Sequence, residues 1–351
     1  LEDGTGLVHT APGHGVEDYQ TGLRVGLDIY CPVQADGTFD DTAPDWLQGK
    51  SVWDANPLVV EKLRESGHLF HDHQFMHSYP HDWRSKTPTI FRATEQWFIA
   101  VNQPVLPPSL GEGMGEGASG SEGASPRPGP LPEGEGVSLR DAALAVTKDD
   151  VKFIPDWGRN RMRGMLDSRP DWCISRQRAW GLPIPAFLGP EPGQVLLTAA
   201  SVRAIAKMFA EKGSDTWFLA EPSELLTHYD PTTDPEAPDW FQSPNHQITK
   251  SHDIFDVWFE SGSSWNACMR QRGLSRDDGP HTDLYLEGSD QHRGWFQLSL
   301  LPSLGATGRP PFGTVLTHGF MVDAKGEKMS KSGGNAINVE DLMKDYGADV
   351  C

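Results

Sequence analysis

Two short apolar runs separated by a helix-period segment set the tightest limit on what this chain can fold into. Leu284-Tyr285-Leu286-Glu287-Gly288 reads as a buried strand ending in a turn. Residues 294–301 read as a helix, and residues 314–318 as a second apolar strand that ends at Gly319. Strand, helix, strand at this spacing is a parallel α/β unit, because parallel neighbours need a crossover long enough to hold a helix. Ligands of such sheets bind beyond the carboxyl ends of the strands. Glu287-Gly288 and His318-Gly319 stand at two such ends.

The junction between the first strand and the helix is Glu287-Gly288-Ser289-Asp290-Gln291-His292-Arg293-Gly294-Trp295, dense in polar groups. Gly288 allows close approach of a ligand. Asp290 and Gln291 offer acceptors and donors to whatever lies over the sheet, typically ribose hydroxyls or an amino group. An ordinary polar helix start capped by Asp290 is the plain alternative.

Downstream lies Lys328-Met329-Ser330-Lys331-Ser332, followed by Gly333-Gly334-Asn335 and preceded by a turn expected to be flexible, Asp323-Ala324-Lys325-Gly326-Glu327. Two lysines flanking small hydroxyl residues on a glycine-bounded loop suit a polyphosphate: ammonium groups supply charge and hydroxyls supply short hydrogen bonds. A solvated surface loop is the alternative when the motif stands alone.

At 351 residues the chain can hold two domains of ordinary size. Its 49 acidic and 30 basic residues give a formal net charge of −19, which argues against a surface coated in positive charge. A local basic groove on an acidic body stays compatible with a nucleic-acid partner. The cysteines, Cys31, Cys173, Cys268 and Cys351, form no Cys-x-x-Cys pair, so neither a zinc ribbon nor a disulfide framework is signalled, and a reducing cytoplasm fits. No apolar stretch approaches the ~18 residues that span a bilayer. The first residue is not methionine and the last stops within a helical pattern, so an internal piece of a longer chain is expected.

In the first 95 residues, 6–10 and 69–77 read as strands and 16–25 and 57–66 as helices, with Pro57 after Asn56 resembling a capped first turn. Residues 104–137 are rich in Gly, Pro and Glu and almost free of β-branched and aromatic residues. They cannot bury enough surface to offset their ordering entropy, so a disordered insertion is expected. Helical periods return at 139–146 and, with basic character, at 160–168, and residues 186–250 read as an elaboration on a core. His68, His71, His73, His77 and His81 raise the question of a metal. Only His71, His73, His77 and His81 share one strand face. Their spacing follows no zinc pattern and no cysteine joins them, so no metal site is expected.

Three segments together resemble class I aminoacyl-tRNA synthetases. They are the 287–295 junction, the Lys-Met-Ser-Lys-Ser loop, and Asp171-Trp172-Cys173-Ile174-Ser175-Arg176-Gln177-Arg178-Ala179-Trp180-Gly181. The continuation Leu182-Pro183-Ile184-Pro185 and the run Asp253-Ile254-Phe255-Asp256-Val257-Trp258-Phe259-Glu260-Ser261-Gly262-Ser263 resemble the bacterial isoleucyl branch, while the valyl enzymes share part of the first motif. The resemblance covers nearly all of the chain except 104–137 and much of 186–250.

It implies an α/β fold: the C-terminal half of a class I Rossmann-type catalytic domain at 138–336, joined to the C-terminal part of a β-barrel-like editing domain at 1–95. Residues 337–351 would begin a helical stem-contact region. The implied activity is ATP-dependent activation of isoleucine and its transfer to tRNA(Ile), with Mg2+ entering as part of the ATP complex. The implied partners are tRNA(Ile), isoleucine and ATP. A cytoplasmic monomer is expected, with no membrane association and no protein-bound zinc in this segment. By resemblance, Lys331 stabilises the ATP phosphates, helped by Lys328, Ser330 and Ser332. Glu287, Gly288, Asp290 and Gln291 hold the adenylate, His318 lies at the nucleotide, and Trp258 and Trp295 wall the isoleucine side chain. Plain core packing is the alternative for both tryptophans.

The segment Gly4-Thr5-Gly6-Leu7-Val8-His9-Thr10-Ala11-Pro12-Gly13-His14-Gly15-Val16-Glu17-Asp18-Tyr19 resembles the editing domain. One methylene separates isoleucine from valine, too little for a pocket to reject the smaller amino acid; the general statement of this limit takes the isoleucyl enzyme as its example. Asp18 matches the acidic residue that holds the amino group of misacylated valine, and His9 a residue near the ribose. A structural role for Asp18 in its helix turn is the alternative. Three features of the family are missing: the His-x-Gly-His signature, the threonine-rich half of the editing pocket and the anticodon-binding domain. A valyl or related class I enzyme, and a non-catalytic tRNA-binding paralogue or inactive fragment, therefore remain alternatives.

Overall fold

The structure, a computed structural model, describes residues 6–82, 85–104, 137–242, 247–275, 279–323, 325–329 and 334–350. The chain divides into two units, Leu1–Glu95 and Gln96–Cys351. The expected insertion, 104–137, falls almost wholly outside the described residues.

In the first unit, α1 (Val16–Val25) has the expected bounds and ends at Gly26, whose φ of 74° is the left-handed conformation that closes helices. Helix α2 (Val52–Glu65) starts well before Pro57. Ser51 Oγ accepts the Asp54 N–H at 3.1 Å and donates to the Asp54 carboxylate at 2.8 Å. That reciprocal cap sets the start, and Pro57 falls in the second turn, where the lost N–H leaves Trp53 O without its helical donor. A small core of Ala43, Leu47 and Ala55 packs with Phe39 and Trp46.

The strands expected at 6–10 and 69–77 do not form; pairing among the described residues of this unit is confined to isolated bridges such as Val33 with Phe39 and His81 with Pro88. Alternation is nevertheless real in the second segment. The rings of His71, His73, Phe75, His77 and Tyr79 follow one another at 5.2, 5.7, 5.0 and 6.0 Å. Period-2 patterning places side chains on one face, but only a neighbouring backbone makes a sheet.

The second unit runs β1 (Phe98–Ile99), α3 (Leu139–Asp149), β2 (Lys152–Ile154), α4 (Trp157–Asp167), β3 (Trp172–Cys173), β4 (Ser175–Arg176), β5 (Phe187–Leu188), β6 (Val195–Leu196) and α5 (Ala199–Lys212). It continues through α6 (Thr216–Leu219), α7 (Pro222–Leu225), β7 (Thr249–Lys250), β8 (Ile254–Phe255), α8 (Val257–Gly262), β9 (Thr282–Gly288), α9 (Trp295–Thr307), β10 (Phe312–His318) and α10 (Val339–Tyr346). A 3-10 turn, Ser289–His292, joins β9 to α9.

Strands β2, β10 and β9 form a parallel sheet in that order, so the strand-helix-strand unit folds as its spacing demands. One expectation changes. Only Tyr285 and Gly288 of β9 are buried, while Leu284 and Leu286 are 48% and 50% exposed. The core lies on one side of the sheet, where Phe153, Tyr285 and Val315 meet Ala143, Met162, Leu166, Phe296, Leu300 and Leu304 from α3, α4 and α9. Helix α9 is buried nearly all round, as a helix between a sheet and other helices must be. Its Pro302 can offer no N–H to Leu298 O, and α8 uses that spot: a Cβ on Gly262 would stand 2.0 Å from Leu298 O. Residues 186–250 carry a separate core of Phe187, Leu196, Ile205, Met208, Trp217, Leu225 and Phe241 under an antiparallel sheet ordered β6-β5-β7.

Candidate active site

Parallel register brings the two expected strand ends together, since Gly288 pairs with His318 and Glu287 with Thr317. A Cβ on Gly288 would lie 3.0 Å from Asp290 Oδ1, 3.4 Å from the Phe320 ring and 3.9 Å from the His318 ring. Residue 288 is thus the floor of a polar edge on which Asp290, His318 and Phe320 converge. Glu287, Asp290 and His318 are exposed, with acceptors and an imidazole open to a ligand, and His318 Nδ1 lies 2.8 Å from Gly319 O.

Gln291 behaves differently. Its Oε1 accepts the Trp295 N–H at 2.9 Å, so this side chain, rather than Asp290, caps α9. The Gln291 amide is left to face Asp290 Oδ2 at 3.4 Å. His292, which sequence reasoning passed over, locks the same turn. It is fully buried against Trp157 and Phe296 and its Nδ1–H donates to Ser289 O at 3.0 Å. Burial pushes its pKa below the ordinary histidine value, which keeps the ring neutral.

Trp258 and Trp295 meet around Gly294, where a Cβ would stand 3.1 Å from the Trp258 ring. Trp295 Nε1–H donates to Ser261 O at 3.0 Å, tying it to the helix that carries Trp258. That helix is positioned by the other signature segment. β4 pairs with β8, and Asp256 accepts Arg176 at 2.9 Å and the Trp172 indole N–H at 3.1 Å. Asp256 also caps α8 through the Trp258 N–H at 3.3 Å. Trp258 is 37% exposed, so it is not a plain core residue.

Of the Lys-Met-Ser-Lys-Ser segment, expected to hold phosphate, Lys328 is described; Ser330, Lys331 and Ser332 lie outside the described residues. Lys328 Nζ sits 3.6 Å from the centroid of the Phe320 ring, a cation–π contact. The turn before it, expected to be flexible, is a hydrogen-bonded hairpin in its described part, with Val322 bridged to Lys328 and Met329 N–H donating to Met321 O at 3.0 Å.

In the first unit, Asp18 Oδ2 accepts the Ala11 N–H at 2.9 Å, pinning the loop before α1. His9 is exposed, and no hydrogen bond joins it to Asp18 among those of the described residues. Among the described residues no group of three or more His, Cys, Asp or Glu is arranged to hold a metal, and no helix is long and apolar enough to cross a membrane.

Comparison with known proteins joins these pieces. The chain is 44% identical to an isoleucine–tRNA ligase of Aquifex aeolicus, with all of this chain and 32% of that protein aligned. It is 45% identical to one from Nitratidesulfovibrio vulgaris (strain DSM 19637 / Miyazaki F), over 100% of this chain and 33% of that protein. It is 43% identical to one from Lactobacillus acidophilus, over 100% and 32%. The chain therefore spans about a third of the length of the curated relatives it matches. The family model for class I tRNA synthetases (I, L, M and V) matches residues 53–351, and the chain belongs to that family.

Proposed function

We propose that the whole protein is an isoleucine–tRNA ligase that activates isoleucine with ATP, transfers it to tRNA(Ile) and hydrolyses valine attached in error. This chain supplies the second half of its synthetic domain, residues 138–336, with the C-terminal part of its editing domain at 1–95 and the start of a stem-contact helix region from 337. The observation that carries the reading is the register of Gly288 against His318 in a chain that aligns end to end with isoleucine–tRNA ligases.

The isoleucine carboxylate attacks the α-phosphate of ATP and expels pyrophosphate; the acyl group then passes to the ribose at the tRNA 3′ end. No covalent enzyme intermediate is needed, so catalysis is positioning and charge stabilisation. Gly288 gives the adenylate close access to the strand edge. Glu287 and Asp290 accept from its amino and ribose groups, and His318 lies at the nucleotide. Gln291 holds the end of α9 and presents its amide to the same edge. Trp258 and Trp295 bound the isoleucine side chain. Lys331, helped by Lys328, Ser330 and Ser332, neutralises charge on the phosphates, and Mg2+ arrives with ATP as substrate. Asp18 holds the free ammonium of misacylated valine, with His9 near the ribose. The enzyme works as a cytoplasmic monomer.

The test is pyrophosphate exchange and tRNA charging by the full-length protein with isoleucine, valine and leucine. Exchange driven best by isoleucine, with release of valine from valyl-tRNA(Ile), supports the reading; a preference for valine or leucine, or no exchange at all, overturns it. The 351-residue piece alone is expected to show no exchange.

A further inference from the structure

Three donors converge on the carboxylate of Asp256, which is buried at the start of α8. Oδ2 accepts Arg176 Nη2 at 2.9 Å and the Trp172 indole N–H at 3.1 Å, while Oδ1 accepts the Trp258 N–H at 3.3 Å. The backbone adds two bonds: the Asp256 N–H donates to Ile174 O at 2.6 Å, and Asp256 O accepts the Phe259 N–H at 2.7 Å. Both partners of Oδ2 belong to the 171–181 segment, where Arg176 also donates to Cys173 O at 2.9 Å and Ser175 O at 2.7 Å. A carboxylate suits all three donors because both of its oxygens accept. An asparagine amide would put its own donor against Arg176 and Trp172 in one orientation and against the Trp258 N–H in the other.

Helix α8 is six residues long and Trp258 is its second residue. Its far end is seated on α9, where Gly262 leaves room for Leu298 O. Asp256 fixes the near end, and with it the place of the Trp258 ring beside Gly294. We propose that Asp256 is a positioning residue for amino-acid selection, holding the Trp258 indole against the isoleucine side chain by tying α8 to the Trp172–Arg176 segment. This rests on the proposed function, in which Trp258 bounds that side chain. Asp256 is 6% exposed, so it acts through Trp258 rather than on the substrate. A wall held in place before the ligand arrives spares part of the ordering cost of binding, so the effect belongs to isoleucine affinity and not to the ATP terms.

The test is a double-mutant cycle in the full-length enzyme, read by isoleucine-dependent pyrophosphate exchange. Asp256→Asn should raise the KM for isoleucine roughly tenfold, with the KM for ATP within about twofold. In a Trp258→Ala background the wall is gone, and the same substitution should change the KM for isoleucine less than about twofold. A role in the fold alone would act equally with and without the indole. Trp172→Phe removes one donor and keeps the ring packing on Phe259. It should give a smaller rise that also vanishes in the Trp258→Ala background, and it carries the cycle if Asp256→Asn does not fold. Hydrogen exchange at the Trp258 amide should speed up in Asp256→Asn. An unchanged KM for isoleucine, additive effects in the cycle, or equal effects on the isoleucine and ATP terms overturn the proposal. Wild-type protein with no isoleucine-dependent exchange would sink the functional reading instead; the Trp258 amide then decides the tie alone, and unaltered exchange there in Asp256→Asn overturns it.

Discussion

The ring of Tyr285 lies flat against Trp295, with centroids 4.0 Å apart and planes 8° from parallel. Tyr285 is 3% exposed and tilts against Phe312, so it is fixed by the core on its other side. The stack passes that rigidity to Trp295, whose indole N–H is held at the far end by Ser261 O. Offset aromatic pairs contribute about 0.5–1.5 kcal/mol beyond the area they bury. Tyr285→Phe keeps the stack and should leave the KM for isoleucine unchanged. Tyr285→Leu frees the indole and should raise that KM roughly two- to tenfold with a smaller effect on the KM for ATP. Steady-state exchange kinetics on the full-length enzyme check both; equal effects on the two substrates would assign Tyr285 to the core alone.

Lys331 carries the largest expected single effect. Lys331→Ala in the full-length enzyme should slow isoleucine-dependent pyrophosphate exchange by roughly two orders of magnitude, the usual cost of one lost transition-state charge contact. Isoleucine binding, measured by calorimetry, should change little. Wild-type exchange in the variant would refute the assignment.

Asp18 allows the proposed editing site to be tested apart from the proposed synthetic one. Its carboxylate accepts the Ala11 N–H, a role that an asparagine side-chain oxygen can also fill. An asparagine lacks the charge that a free ammonium group needs. Asp18→Asn should therefore keep the local fold and lose hydrolysis of valyl-tRNA(Ile), with isoleucine activation near normal. Asp18→Ala should lose both the loop tether and the hydrolysis. Deacylation at the wild-type rate in Asp18→Asn would show that the residue is structural.

His281 predicts how stability responds to acid. It is 1% exposed and stacked on Trp265 at 4.6 Å. Its Nδ1 accepts from Ser275 Oγ at 2.8 Å and Arg309 Nη2 at 2.9 Å, so the proton sits on Nε2, facing Thr307 Oγ1 at 3.2 Å. Burial first, then the charges of Arg309 and Arg270, push its pKa down from 6.5 to about 4. The folded state therefore binds fewer protons than the unfolded state between those values, and stability rises with pH there. The contribution is complete above pH 6.5 and is lost as pH falls toward 4. Melting temperatures across that range should drop in the wild type and depend less steeply on pH in His281→Gln.

Much of the site was legible because its chemistry is local in sequence. Glu287 to Trp295 is one junction, and the lysine loop is one segment. Residue types at short spacing marked a polar strand edge as the candidate site without any knowledge of the sheet. Roles set by contact were not legible. Gln291 was expected on the ligand; that its oxygen also holds the start of α9, leaving only the amide to face Asp290, was not foreseen. Phe320 carried no signal as a seat for Lys328, since a cation over a ring is decided by where two loop residues meet. The turn at 323–327 looked flexible by composition, because the Asn335 that closes it lies 12 residues away from Asp323.

By itself the sequence determined the parallel strand-helix-strand unit, the order of the motifs and the family, because periodicity, turn residues and motif chemistry are short-range properties. The tertiary structure alone decided that Gly288 stands opposite His318, that β9 is buried on one face, and that Asp256 joins Arg176 and Trp172 to the helix bearing Trp258. It also decided that residues 69–77, though alternating, join no sheet among the described residues. Register, burial and pairing depend on which distant segment supplies the partner surface, and no local pattern encodes that choice.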